Sequence, residues 1–213
     1  MALNLSGSND GASSASGSVT LKGRFEIDLG GAIPSYDVAP SIAYRAEITS
    51  DKARPVMALV CDPKLPLRAD KVMPLRGIET RMFLKPHDWG VVDWPLEGRR
   101  CPVVIVDRPL GGRVMPGLDV RMRPMNEDLV SRLLIRPAAE FLEQLANQNL
   151  SHRAIRPDNV YYTDVEQTRM VLGDCISAPP AMAQPTVFET IESGMALPAG
   201  RGDGSTSHDL YSL

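Results

Sequence analysis

Cysteine is scarce in this chain: among 213 residues there are three, Cys61, Cys101 and Cys175. An odd, widely spaced set supplies neither a disulfide framework nor a zinc-ligand spacing, and it suits a reducing, cytoplasmic setting. Charge of one sign is lacking too. A formal net charge of −3 gives no electrostatic case for nucleic acid or an anionic membrane as partner. No apolar run is long enough for a bilayer-spanning helix. The amino terminus has neither the basic stretch nor the apolar core of a signal peptide. What is present is globular material, 43% apolar and 23% charged, in a length that suits one compact domain or two small lobes sharing a cleft.

Residues 1–19 are rich in Ser, Gly, Asn and Ala. Such a segment cannot bury a core, and a disordered tail is expected. Gly23 to Leu29 then alternates apolar and polar residues, as a half-buried strand does. Gly30-Gly31 breaks it, and a loop containing Pro34 and Pro40 leads to a second strand, Ile42 to Ile48. Pro55 to Asp62 and Cys101 to Asp107 are buried-type strands, the latter with a β-branched run. Trp89 to Trp94 is a further strand, which makes five. Between strands three and four, residues 66–82 are expected to hold a helix on Leu67, Val72, Met73 and Leu75, limited by Pro74. Asn126-Glu127-Asp128 reads as a helix start, followed by two helical segments interrupted at Pro137.

The stretch from Ser151 to Asp174 is the most informative. Ser151 to Asn159 is a loop, Val160-Tyr161-Tyr162 and Met170-Val171-Leu172 are short strands around a polar turn, and Gly173-Asp174-Cys175-Ile176 closes the run. The hairpin brings the loops at Asn159 and Asp174 to the same end. An amide oxygen and a carboxylate there could share one hard cation.

This stretch resembles the catalytic loop and metal-binding loop of protein kinases, H-R-D-x-x-x-x-N followed by D-F-G. His152-Arg153 and Pro157-Asp158-Asn159 match, and Asp174 stands for the first residue of D-F-G. Ala154 stands at the catalytic aspartate, and Cys175 and Ile176 replace Phe and Gly. Thr206 to Leu213 is similar to the helix written D-x-Y-S-L-G, in which Asp209 would hold the catalytic-type loop through its backbone. The chain is thereby identified as a degenerate, bacterial-looking member of the kinase-like superfamily of Ser/Thr type, ending at the start of that helix as a fragment would.

The resemblance implies an α+β, protein kinase-like two-lobe fold, with a five-stranded antiparallel sheet in the first lobe and a partial, mainly helical second lobe. Its expected boundaries are the tail at 1–19, a first lobe at 20–108, a hinge at 109–125 and a partial second lobe at 126–213. Backbone groups from Asp107 to Leu110 would meet adenine. Aligning Ala58-Leu59 with the kinase V-A-I-K strand puts Val60 at the lysine, and the glycine loop between the first two strands lacks its third glycine. Phosphoryl transfer depends on positioning and charge stabilisation, so the expected function is a pseudokinase acting as a regulatory or protein-interaction scaffold. Asn159 and Asp174 are its candidate cofactor- and metal-binding residues, for ATP with Mg. No residue is assigned as catalytic, and the protein partner is unnamed. The alternative is an active kinase-like transferase, a Ser/Thr kinase or nucleotidyl transferase, using ATP at Asn159 and Asp174, with Asp158 as a stand-in carboxylate.

Overall fold

The protein is described from a computed structural model over residues 17–122 and 124–213. Most of the expected tail, residues 1–16, lies outside the described residues. The chain begins with an antiparallel sheet of six strands: β1 (Ser18–Leu21), β2 (Phe25–Ala32), β3 (Ile42–Ile48), β4 (Asp51–Val60), β5 (Pro86–Trp94) and β6 (Arg99–Asp107), in the spatial order β1-β2-β3-β4-β6-β5. The expected count of five missed β1. That strand starts at Ser18, inside the polar tail composition, and pairs with β2 through Ser18↔Asp28 to Leu21↔Phe25. Backbone pairing makes it a strand where composition carries little β signal.

The sheet curls until β1 meets β5: Lys22 Nζ lies 2.6 Å from Asp88 Oδ1, and a side chain at Gly90 would collide with Leu21. Curling buries both faces. Met57, Leu59 and Cys61 face one core, while Val56, Ala58 and Val60 face another that holds Phe25, Tyr44, Trp94 and Ile105. The apolar run in β4 is unbroken because successive side chains point to opposite, equally dry faces.

Helix α1 (Val72–Gly77) buries Val72 and Leu75. It is much shorter than the 66–82 segment that could have held it, with Pro74 in its first turn, where a missing N–H costs little. Asn126 caps α2 (Glu127–Val130), its Oδ1 accepting from the amides of Asp128 and Leu129. A π-helical turn, Ser131–Ile135, then runs straight into α3 (Arg136–Asn147). The helix widens where an interruption at Pro137 was expected: the Arg136 amide donates to the Ser131 carbonyl, five residues back. The wider turn absorbs the donor that Pro137 lacks. Ala138, Phe141, Leu142 and Leu145 form the buried stripe of α3, at the spacing of one helical face.

Strands β7 (Val160–Tyr162) and β8 (Met170–Leu172) form the hairpin, with Val160 opposite Leu172. Backbone bonds join it to the segment before β5, Leu172 amide to Met82 carbonyl and Leu84 amide to Leu172 carbonyl, each 2.8 Å. Two short helices follow, α4 (Ile191–Met195) and α5 (Thr206–Ser212). No helix among the described residues is long and apolar enough to cross a membrane.

Candidate functional site

The loop from Ser151 to Asn159 leaves α3 and enters β7, and four side chains hold it. Asp209, on α5, accepts the His152 amide at Oδ2 and the Arg153 amide at Oδ1, both at 2.7 Å. Burial raises the Asp209 pKa, opposed by those same two amides. His152 is buried with both ring nitrogens engaged: Nε2 lies 3.2 Å from the Gly173 carbonyl, and Nδ1 accepts the Ala154 amide at 3.3 Å. Burial, with the Arg68 and Arg156 cations adding to it, pushes its pKa down to about 3. The neutral tautomer carrying its proton on Nε2 satisfies both contacts. Arg153 has a left-handed backbone, φ 61°. Its Nη2 lies 3.0 Å from Glu189 Oε2 and 3.3 Å from Ser193 Oγ, in a buried ion pair. Arg68 completes the set, its guanidinium donating to the carbonyls of Ser151, His152 and Cys175 at 2.9–3.0 Å.

The hairpin brings Asn159 and Asp174 together. Asn159 Nδ2 donates to the Asp174 carbonyl at 3.0 Å and to the Ala154 carbonyl at 2.8 Å. Its Oδ1 is buried without a partner and sits against Gly173, where any side chain would strike it. The Asp174 carboxylate accepts the Ile176 amide at 3.1 Å and the Ser177 amide at 2.9 Å. Burial raises its pKa, partly offset by those donors and by Arg68. Ala154 is the third residue of the run and offers only a methyl group. Asp158 is tied to Arg156, Oδ1 to Nε, at 2.7 Å.

Across from this pair, the strand contributes Cys61. Val60 points into the core on the opposite face, with Trp94 and Cys101. Val60, the residue expected at the lysine position, therefore faces away from Asp174, because successive strand side chains point to opposite faces. The Cys61 thiol is pushed up to about 12 by burial, with the Asp174 carboxylate also raising it and a Ser41 hydrogen bond lowering it. Among the described residues no cluster of three or more His, Cys, Asp or Glu is placed to hold a metal ion.

The segment between β2 and β3, where the glycine loop was expected, packs against the β7–β8 hairpin and the connection after β6. The Tyr36 ring stacks on Tyr161 at 5.8 Å, nearly parallel, and its hydroxyl donates to the Pro109 carbonyl at 2.9 Å. Asp37 Oδ1 accepts the Ala43 amide at 2.8 Å, and the Arg113 guanidinium donates to the Asp37 carbonyl while lying 5.4 Å over the Tyr161 ring. Val38 is buried, and Ser41 Oγ donates to the Ser177 carbonyl at 3.3 Å. Between Val38, Ala154, Asp174 and Ala181 about 20 Å³ remains, room for roughly one water.

The connection after β6 is similarly engaged. The Asp107, Arg108, Leu110 and Gly111 amides donate to the carbonyls of Lys85, Pro55, Thr163 and Tyr162. The groups expected to read adenine thus have partners within the chain. Tyr36, Cys61, Arg68 and Arg113 all escaped the sequence reading. Period-two alternation along β4, carried one residue past its end at Val60, would have found Cys61. The other three act across separations of 73 to 107 residues, which leave no local signal.

Neither a known protein family nor a curated protein matches this sequence. Its fold does match solved structures. A crystal structure of Rad53 1-466 in complex with AMP-PNP is similar with a TM-score of 0.59 and 13% identity, over 83% of this chain and 43% of that one. The chain thus spans less than half the length of that neighbour. The fold is kinase-like.

Proposed function

We propose that this chain is a pseudokinase: a kinase-like scaffold without phosphoryl transfer, which regulates or assembles a protein partner. The observation that carries the reading is the Ile33–Ser41 segment seated in its own front cleft, with Tyr36 bonded to the Pro109 carbonyl. The residues present do not fit a magnesium nucleotide in this arrangement. Both Asp174 oxygens accept backbone amides, Asn159 Oδ1 rests on Gly173, and Cys61 supplies no cation where phosphate charge would need one. Ala154 can neither accept a proton nor orient a hydroxyl, and a lost general base costs about 10²–10⁴ in rate.

A transferase reading has one observation in its favour, the unpartnered buried oxygen of Asn159. A cation there would satisfy it, sharing the Asp174 oxygens with the two amides they already accept.

A melting experiment with ATP, with and without Mg²⁺ or Mn²⁺, separates the two. We expect no metal-dependent shift in the wild type and no nucleotide response in Asp174→Ala. A shift that requires the metal and disappears in Asp174→Ala would overturn the scaffold reading. So would incorporation of labelled phosphate or AMP that the same variant abolishes.

A further inference from the structure

On the other side of the Asp107–Gly112 connection lies a cavity of about 700 Å³, sharing no lining residue with the small gap beside Asp174. Its size is in the range that accommodates substantial ligands. The floor is apolar: Phe83 and Phe141 stack at 4.8 Å, beside Leu133, Met170 and Val171. Six cations stand around it, Arg54, Arg81, Lys85, Arg108, Arg132 and Arg169, against two carboxylates, Asp107 and Glu140. Arg54 pairs with Asp107 at 3.2 Å and Arg169 reaches Asp164 at 4.0 Å. Among the described residues, the side chains of Arg81, Lys85, Arg108 and Arg132 make no hydrogen bond or ion pair with any other. Arg108 Nε is moreover buried without a partner. A chain with a net charge of −3 has therefore gathered unmatched positive charge around one apolar floor.

We propose that this cavity docks an acidic segment of a partner protein, with an apolar side chain on the Phe83–Phe141 floor and carboxylates on the surrounding guanidiniums. The proposal rests on the scaffold reading and names the chemistry of its partner. Charge complementarity selects the occupant. The four unmatched cations come from three separate segments, 81–85, 108 and 132. Among the described residues no helix N-terminus lines the cavity to supply the amides a phosphate usually takes, because α3 continues without a break from the π-helical turn. That turn places Arg132 and Leu133 on the wall, and such widened turns recur at functional sites. The chain's own residues 1–16 are a poor occupant, carrying one carboxylate, Asp10.

The test is fluorescence anisotropy on the full chain with a labelled dodecapeptide of glutamates interrupted by two leucines, beside the same peptide with glutamines. We expect the acidic peptide to bind and the neutral one to bind at least about tenfold more weakly, with affinity falling as salt rises. Arg81→Glu with Arg132→Glu, both at exposed positions, should weaken binding about tenfold or more while the melting curve stays cooperative. Arg132→Gln, a milder change, should weaken it in the same direction. Equal binding of both peptides, no binding of the acidic one, or indifference to the charge reversal would overturn the proposal. Displacement by inorganic tripolyphosphate at lower concentration than by free acidic peptide would overturn it in favour of a small phosphorylated ligand. Labelled-ATP incorporation is measured on the same samples. Transfer activity would defeat the scaffold reading while leaving a positive peptide result standing, so the two failures are distinct.

Discussion

The two sides of the Asp107–Gly112 connection differ in what they do with polar groups. In front, where the kinase-like motif residues gather, the charged side chains are engaged with groups of the chain itself, although single buried atoms such as Asn159 Oδ1, Tyr161 Oη and Glu189 Oε1 have no hydrogen-bond partner. Asp209 holds two amides, Asp174 holds two more, Arg153 is paired with Glu189, and Arg68 serves three carbonyls. About 20 Å³ is left beside Asp174, between Val38, Ala154 and Ala181. Behind, about 700 Å³ is open and cations stand without partners. A site that must meet an external ligand keeps unsatisfied groups, because each internal contact would have to be broken on binding. What separates the two sides is whole side chains rather than single atoms: the front cations are held by internal acceptors, while Arg81, Lys85, Arg108 and Arg132 behind have none among the described residues.

The hardest blow to the front is Asp209→Ala. It removes both acceptors for the His152 and Arg153 amides and leaves two buried donors bare. Hydrogen bonds to a charged group contribute about 1.5–3 kcal/mol each, so urea denaturation should show a loss of about 3 kcal/mol or more. Asp209→Asn keeps one acceptor and should lose about half as much. Amide exchange should accelerate at His152 and Arg153 well before it does at Phe83 and Leu84 behind. If Asp209→Ala unfolds no more easily than the wild type, the front loop is held by something other than these bonds.

A change of pH strains the same region through His152. Its folded pKa of about 3 lies below the unfolded value near 6.5. The unfolded chain therefore binds more protons between those values, and the stability this ring contributes is complete above about 6.5 and falls as pH drops towards 3. The slope is about 1.4 kcal/mol per pH unit, so roughly 2 kcal/mol should vanish between pH 6.5 and 5. Asp174 and Asp209 act oppositely: their raised folded values mean a contribution present below the unfolded carboxylate pKa and lost as pH rises through the folded one. The difference in slope between the wild type and His152→Asn isolates the ring, and equal slopes would show that it titrates normally.

Much of the front was legible because its contacts are local or lie on a spaced motif. The β7–β8 hairpin follows from two short apolar runs around a polar turn, and with it the approach of Asn159 to Asp174. Asp209 was readable only through the resemblance, as the anchor of the loop. The rest required the third dimension. Ser18 and Val19 became strand because β2 had an open edge, and Cys61 rather than Val60 faced Asp174 because a strand's faces alternate. Nothing near Arg68 in sequence says that it serves carbonyls 83 to 107 residues away. The rear cavity was unreadable for the same reason: its unmatched cations are unremarkable singly and converge only in the fold.

The smallest change bears most directly on how the front is closed. Tyr36→Phe keeps the ring on Tyr161 and removes only the hydroxyl bond to the Pro109 carbonyl, so about 0.5–1.5 kcal/mol should be lost. The ring stack and the Asp37–Ala43 bond remain, and the segment should stay seated. Amide exchange at Val38 and Ser41, both bonded to each other through their backbones, should rise modestly, while exchange at Leu84 and Leu172 should not. Acidic-peptide affinity should also be unchanged, because the hydroxyl bond reaches only the Pro109 backbone carbonyl and none of the cations around the rear cavity. A parallel loss at both places would mean that the connection between them transmits strain, and the division into a closed front and an open back would have to give way to a coupled pair of sites.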